Sequence, residues 1–226
     1  MAMENFTLLP LSLPTDAPEI LRLHYQVYLS DTLYESTSTL TPEPTFIATN
    51  LPGILSRFSN PGLLAAKLVP ASSPHLIAAY IVWNPPASKA DTRTRDELQA
   101  DIRAEAEQQG EGLDKEIYYK LRLEDEELNE KFFGKGFETR LWVLDALVVD
   151  EGFQRKGLGT RLVKWGLDEL RKSRREGVEG AYLIASPQGE KTYKGAGFER
   201  VGERVARSGG EGEAGYTHGW FMKRFE

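Results

Sequence analysis

The chain has no cysteine among its 226 residues, which removes disulfide frameworks, thiolate metal ligands and cysteine nucleophiles together. Histidine is nearly as scarce. His24, His75 and His218 stand far apart, with no HxxxH or HxH pair, so a histidine-built zinc site has little to work with and no metal is expected. Long apolar runs are also missing: no stretch approaches the ~20 apolar residues that span a bilayer. The opening MAMENFTLLPLSLP has no Lys or Arg before Arg22 and is broken by prolines, unlike a secretory signal. A cytoplasmic protein with no membrane partner is the expectation. Positive charge is not in excess either. A formal charge of −6 and a pI near 5.3 argue against nucleic acid as a partner, since that binding relies on clustered Lys and Arg releasing counterions.

With 40% hydrophobic and 27% charged residues, the composition is that of a globular chain. At this size folding buries roughly 70% of the surface of the unfolded chain, enough for one core without covalent staples. One domain over residues 1–226 is expected, opening β, α, α, β, β. Phe6 to Ser12 is a short apolar run. Thr15 or Asp16 can cap a helix in which Ile20, Leu21, Leu23, Val27 and Tyr28 recur at helical spacing. A second helix fits Phe46 to Phe58, where Pro52-Gly53 should kink or split it. Leu63 to Val69 and Leu76 to Trp83 read as a hairpin.

Residues 88–131 differ from the rest. They hold 14 of the chain's 34 acids and 8 of its 28 bases, so the whole net negative charge resides there. Leu98 with Ile102, and Leu113 with Ile117 and Leu121, keep a four-residue rhythm. That pattern describes an acidic helical insertion, solvated and packed on one edge, or else an acidic rim that attracts cationic substrates.

The second half is the more informative. Leu141 to Val149 is apolar except for Asp145, the pattern of a strand buried on both faces. Gln154-Arg-Lys-Gly157-Leu-Gly159-Thr160 follows. Leu158, Leu162, Gly166 and Leu170 then mark one face of a helix to about Arg175, and Ala181 to Ser186 is a second strand, parallel to the first. A short helix in Pro187 to Ala196, a strand from Phe198 to Val205, a Gly-rich hairpin loop over 208–215 and a strand from Tyr216 to Phe225 complete the order.

A glycine-containing turn between a buried strand and a helix aims backbone N–H groups and the positive end of the helix dipole at one small region. Gly157 and Gly159 permit unusual dihedrals and close approach, Thr160 adds a hydroxyl, and Arg155 and Lys156 add positive charge. A phosphate or pyrophosphate suits such a loop; a tight turn that merely needed two glycines is the alternative. Neither GxxxxGK[ST] nor a GxGxxG at the start of a βαβ unit is present.

QxxGxG before an apolar helix, with the buried strand ahead of it and Tyr193-Lys-Gly-Ala-Gly197-Phe198 after the next strand, resembles the GNAT N-acetyltransferase superfamily. The resemblance is strongest from Leu141 to Phe198. It implies an α/β fold with a mixed, mostly antiparallel sheet flanked by helices, and acetyl-CoA as acetyl donor. The backbone of Leu147, Val148 and Val149 would pair with the pantetheine arm. The loop amides of Gln154, Arg155, Lys156, Gly157, Leu158, Gly159 and Thr160 would grip the pyrophosphate. Ser186 stands where many members have Asn, and keeps one donor or acceptor.

The resemblance further implies transfer to a primary amine of a small molecule or peptide by direct attack in a ternary complex, with Tyr193 as general acid toward the sulfur. A phenol near ~10 giving its proton to a thiolate near ~8.5 is uphill by roughly 2 kcal/mol, so donation at the transition state matters more than complete transfer. An aromatic anchor packing its helix on the core is the alternative for Tyr193. Asp145, the one ionisable group of its strand and on the same face as Val143 and Leu147 by simple alternation, is the candidate base; an aspartate satisfied by backbone or a buried Arg is its alternative. Glu35, Glu138 and a water chain compete with it. A backbone N–H near Val149 would polarise the carbonyl. For the acceptor pocket the candidates are Tyr28, Tyr34, Glu35, Trp83 and Trp220. A protein that keeps the fold and binds acyl-CoA without turnover is the rival reading.

Overall fold

The structure is a computed structural model that describes residues 5–12, 14–28, 42–60, 62–108, 114–173, 176–206 and 216–225. In chain order the elements are β1 (Phe6–Pro10), α1 (Ala17–Tyr28), α2 (Glu43–Arg57), β2 (Leu64–Pro70), β3 (Ala79–Asn84), α3 (Arg95–Glu107), α4 (Lys115–Phe133), β4 (Leu141–Val149), α5 (Leu158–Lys172), β5 (Gly180–Ala185), α6 (Glu190–Gly195), β6 (Glu199–Ala206) and β7 (Tyr216–Arg224). The strands form one sheet in the order β1-β2-β3-β4-β5-β7-β6. Every neighbouring pair is antiparallel except β4 and β5, which are parallel because α5 carries the chain across between them. This is the mixed, mostly antiparallel sheet with flanking helices that the family resemblance implied. Pro52 lies inside α2 without splitting it, and Pro44 sits in its first turn, where a missing N–H costs nothing. The 208–215 loop, Tyr34 and Glu35 lie outside the described residues, as does the side chain of Tyr28.

Two cores lie on the two sides of the sheet. On one, Leu158, Leu162, Val163, Leu167 and Leu170 of α5 pack with Trp83, Trp142, Leu144 and Leu183 of the strands. On the other, Ile20, Leu21 and Leu23 of α1 and Ile54 of α2 pack with Tyr80, Val82, Ala146 and Val148. Trp83 is fully buried in the first core, and a Cβ at Gly166 of α5 would overlap its indole. Only glycine lets the helix come this close. Gly166→Ala should therefore cost about 2 kcal/mol by overpacking, read as a lower urea midpoint at unchanged m-value.

The acidic segment is more than a solvated edge. Its two helices carry explicit start signals: Thr94 and Glu97 form a capping box, and the Asp114 carboxylate accepts from the Glu116 and Ile117 amides. α4 then packs into a third core, with Phe133 against Phe137, Leu141, Trp220 and Met222. Buried Asn129 accepts from Trp220 Nε1 at 2.7 Å. Gly202 of β6 leaves room for the Phe132 ring, and buried Arg204 donates to Asp125 at 2.7 Å. The rhythm of Ile117 and Leu121 finds only the half-buried part of α4. Asn129 and Phe133 are buried by the last hairpin, which that rhythm could not reveal. Among the described residues no helix is long and apolar enough to cross a membrane, and no group of His, Asp and Glu could hold a metal ion.

Candidate active site

β4 and β5 pair only at Leu141 with Gly180, Trp142 with Ala181 and Val143 with Tyr182. Beyond that the strands part, although β4 stays paired with β3 as far as Val149 and β5 with β7 as far as Ala185. The gap exposes backbone along one edge of β4. The Asp150 N–H donates to Ala78 O of the β3 side, so alternation turns the N–H and C=O groups of Leu147 and Val149 the other way, into the gap. Gln154 Nε2 donates to Val149 O at 3.2 Å, tying the start of the loop to this edge. An extended, amide-bearing chain could complete the missing ladder here. Val148 alternates to the opposite direction, and its side chain is buried on the α1 side.

Asp145 stands at a register shift. Val82 faces Ala146 while Trp83 faces Leu144, so Asp145 is the extra residue of a bulge. The bulge reverses which parity faces α5: Trp142 and Leu144 pack on that side before it, Leu147 and Val149 after it. Simple alternation therefore fails. Asp145 shares its side with Val143, both lining a cleft, and not with Leu147, which lies under the start of α5.

The loop leading into α5 has two residues with positive φ, Arg155 at 60° and Gly157 at 80°. For arginine that conformation is uncommon and marks strain of the kind found at functional sites. Gly157 is the N-cap, with no side-chain cap and no acidic residue in the first turn. The first i to i−4 bond is from Arg161 N to Gly157 O, so the amides of Leu158, Gly159 and Thr160 have no acceptor within the helix. Gln154, Arg155, Lys156 and Gly157 are exposed, whereas the Leu158 side chain is buried and only its backbone is available. Lys156 Nζ lies 4.7 Å from the centre of the Phe153 ring, and Phe153 stands edge-on to Phe6. These contacts hold the loop on the sheet, and its first-turn amides, without acceptors in the helix, are suited to an anion. A Cβ at Gly159 would rest in ordinary contact, 3.7 Å from Leu147 Cδ2 and Val149 Cγ2, which places the start of α5 directly on β4. Gly157 governs the turn itself.

Ser186 follows β5 and its carbonyl accepts from Gly189 N at 3.0 Å. α6 begins next, and its Thr192 Cγ2 comes within 3.9 Å of the Gly159 Cβ position, which brings α6 beside the loop. Tyr193 is buried in the α5-side core, its ring centre 6.3 Å from that of Phe198. Gly189 allows the ring to lie against the turn, since a Cβ there would sit 2.9 Å from Tyr193 Cε2. Tyr193 and Asp145 thus lie on opposite sides of the sheet, at the stretch where β4 and β5 are no longer paired.

The cleft on the α1 side has a volume of about 1520 Å³. Its floor includes Val143, Leu144 and Asp145 of β4 and Tyr182 and Ile184 of β5, so it opens onto the gap; its walls come from α1, α2, α3 and α4. Trp83 and Trp220 are no part of it. Both are fully buried, Trp83 under α5 and Trp220 against α4, because sequence alone cannot tell a core tryptophan from a pocket one. Tyr182 and Glu126, on β5 and α4, also line the cleft, and no motif or periodicity pointed to them. Burial, followed by the charges of Glu126 and Asp145, raises the Tyr182 phenol well above its usual range, so it stays protonated. His24 also reaches the cleft and is hydrogen-bonded to the Tyr80 hydroxyl.

A family model for the acetyltransferase (GNAT) domain matches residues 104–211. The match begins inside the segment read above as an insertion, in keeping with the packing of α4 into the core. Comparison with curated protein sequences gave no match. Among solved structures, arylalkylamine N-acetyltransferase 2 from Aedes aegypti is similar at 13% identity and a TM-score of 0.67, over 98% of this chain and 100% of that one. The polyamine N-acetyltransferase of Drosophila melanogaster is similar at 15% identity and a TM-score of 0.63, over 98% and 100%. A putative acetyltransferase from Acinetobacter baylyi is similar at 10% identity and a TM-score of 0.54, over 100% and 94%. With the family match running from α3 through the parted strands and the loop to β6, and with solved acetyltransferases sharing the architecture, this chain has the fold of the GNAT acetyltransferase superfamily.

Proposed function

We propose that the protein is an acetyl-CoA-dependent N-acetyltransferase acting on a primary amine by direct attack in a ternary complex. The observation that carries this reading is the parting of β4 from β5 beside a loop whose first-turn amides have no acceptor within the helix. The edge of β4 at Leu147 and Val149 offers donors and acceptors to the amide-bearing pantetheine arm. The Gln154 to Thr160 loop offers N–H groups to the pyrophosphate, and Arg155 and Lys156 add charge from the solvent side. The thioester would then lie in the gap, between the Tyr193 side and the Asp145 side. An amine in the cleft could attack its carbonyl from the Asp145 side, with the Val149 N–H polarising the oxygen and Tyr193 donating toward the departing sulfur.

Titration of the protein with coenzyme A, followed by thiol release from acetyl-CoA across polyamines, arylalkylamines, amino acids and peptides, tests this directly. Coenzyme binding without turnover on any amine would favour the silent acyl-CoA-binding reading. The loop has its own test. A β-branched side chain is strained at the 80° φ of Gly157, and a Cβ there meets nothing within 4 Å, so Gly157→Val disturbs the turn without touching the core. Coenzyme A affinity should fall ~10-fold or more by calorimetry. Unchanged affinity in a folded Gly157→Val protein would remove the loop from the binding site.

A further inference from the structure

The lysine and arginine side chains that line the cleft are not alike. Arg93 is paired with Asp91 and Asp101, Arg95 with Glu127, and Arg122 with Glu126. Lys135 lines the same cleft and is exposed, and its ammonium has neither an ion pair nor a hydrogen bond among the described residues. It stands at the apex of a turn with a fixed backbone. Gly134 ends α4 at a φ of 81°, and Gly136 opens the short helical turn Phe137–Thr139 at a φ of 74°, a region that favours glycine. On either side of them Phe133 and Phe137 are buried, with ring centres 5.7 Å apart. Arg140 Nη2 donates to Phe133 O at 3.2 Å, and the Phe137 N–H donates to Gly134 O at 3.3 Å. The turn is thus held at both ends, while the lysine between the glycines extends on a flexible stem. The Phe137 ring meets Tyr182 edge-on, centres 5.5 Å apart, and Tyr182 faces Val143 in the last pair before β4 and β5 part. The turn therefore packs at the point where the strands separate, and Glu138 and Asp145 line the cleft with it.

We propose that Lys135 is a self-acetylation site: its amine enters the acceptor position and takes the acetyl group from acetyl-CoA bound to the same chain. This rests on the acetyltransferase reading. The lysine ammonium first gives a proton to Asp145, directly or through water, because only the free amine has a lone pair for attack. The nitrogen then adds to the thioester carbonyl, the C–N bond forms and the C–S bond breaks. The sulfur takes a proton from Tyr193, which regains the second nitrogen proton as the amide forms. One proton is released overall, and coenzyme A leaves as the thiol. Tethering gives this amine an effective concentration of ~mM against the thioester, whereas a lysine elsewhere on the surface meets it only when two molecules collide. Acetylation also removes a positive charge that no carboxylate among the described residues balances, so the modified chain presents a more acidic cleft to a free acceptor.

The test incubates the purified protein with acetyl-CoA and no added amine, and follows each lysine by digestion and mass spectrometry. Lys135 should gain an acetyl group at least about tenfold faster than the other lysines, with a rate constant independent of protein concentration. Excess coenzyme A, which fills the donor site without an acetyl group, should suppress the reaction. Lys135→Arg, which keeps the charge and removes the nucleophile, should abolish the thiol release seen without added amine. Acetylation spread evenly over the lysines, or no faster at Lys135 in the native protein than in the heat-unfolded chain, overturns the inference. A rate constant that rises with protein concentration also overturns it, since the transfer would then run between molecules. Turnover of free amines with Lys135 unmodified overturns it and leaves the acetyltransferase reading in place; coenzyme A binding with no acetylation of Lys135 or of any amine overturns both.

Discussion

Tyr193→Phe is expected to bind coenzyme A like the parent protein and to lose about 10²-fold in kcat, the usual scale for removing a general acid. The substitution deletes one hydroxyl and keeps the ring that packs against Phe198 and the Gly189 turn, so folding and the neighbouring loop are spared. The departing thiolate is a weaker base than a phenolate, and donation in the transition state is worth more than full proton transfer. The loss should therefore be shared by kcat and kcat/KM for the amine. It should shrink with acyl donors whose leaving thiol is more acidic, since these need less help. Parental turnover by Tyr193→Phe across the pH range would make the tyrosine a packing residue.

Asp145→Asn should lower the acetylation rate about 10²-fold near neutral pH and progressively less toward high pH. An alkyl ammonium near ~10.4 is mostly protonated at neutral pH and has no lone pair with which to attack, so its proton must leave first. A carboxylate on the cleft side of the gap can accept that proton, directly or through water, and free the amine for attack. Without it, the rate should follow the fraction of free amine alone, rising about tenfold per pH unit below the amine pKa. The deficit relative to the parent is then largest at low pH and smallest where free amine is abundant. The Asp145 position at a bulge supports this assignment, because the extra residue aims the side chain into the cleft instead of under α5. A variant with the parental pH profile would transfer the proton to water or to another carboxylate.

Much of this molecule is legible in one dimension. The absence of cysteine and the wide spacing of histidine removed whole classes of chemistry. The apolar run from Leu141 to Val149, the QxxGxG turn and the four-residue rhythm of α5 located the strand, the loop and the helix, because each is specified by neighbours within a few residues: strand burial, positive φ at glycine and one apolar helical face. The parallel pairing of β4 with β5 followed from the crossover helix between them.

Contacts distant in sequence decided the rest. A one-residue bulge changed the face of every β4 residue after Asp145, since strand period is exactly two and a single insertion reverses it. Trp83 and Trp220 became core, and Tyr182 and Glu126 became cleft, according to which helix covers them. The acidic segment reads as a solvated surface because charge pattern reports only local exposure. Its last turns are buried through Asn129 with Trp220 and Asp125 with Arg204, partners roughly eighty to ninety residues away. The sequence by itself determined the elements, their order and the glycine-containing loop before α5, because those depend on local backbone and periodicity. Only the tertiary structure decided where β4 leaves β5, which way Asp145 points and which carboxylates meet in the cleft, because those depend on packing between elements that the chain brings together only when it folds.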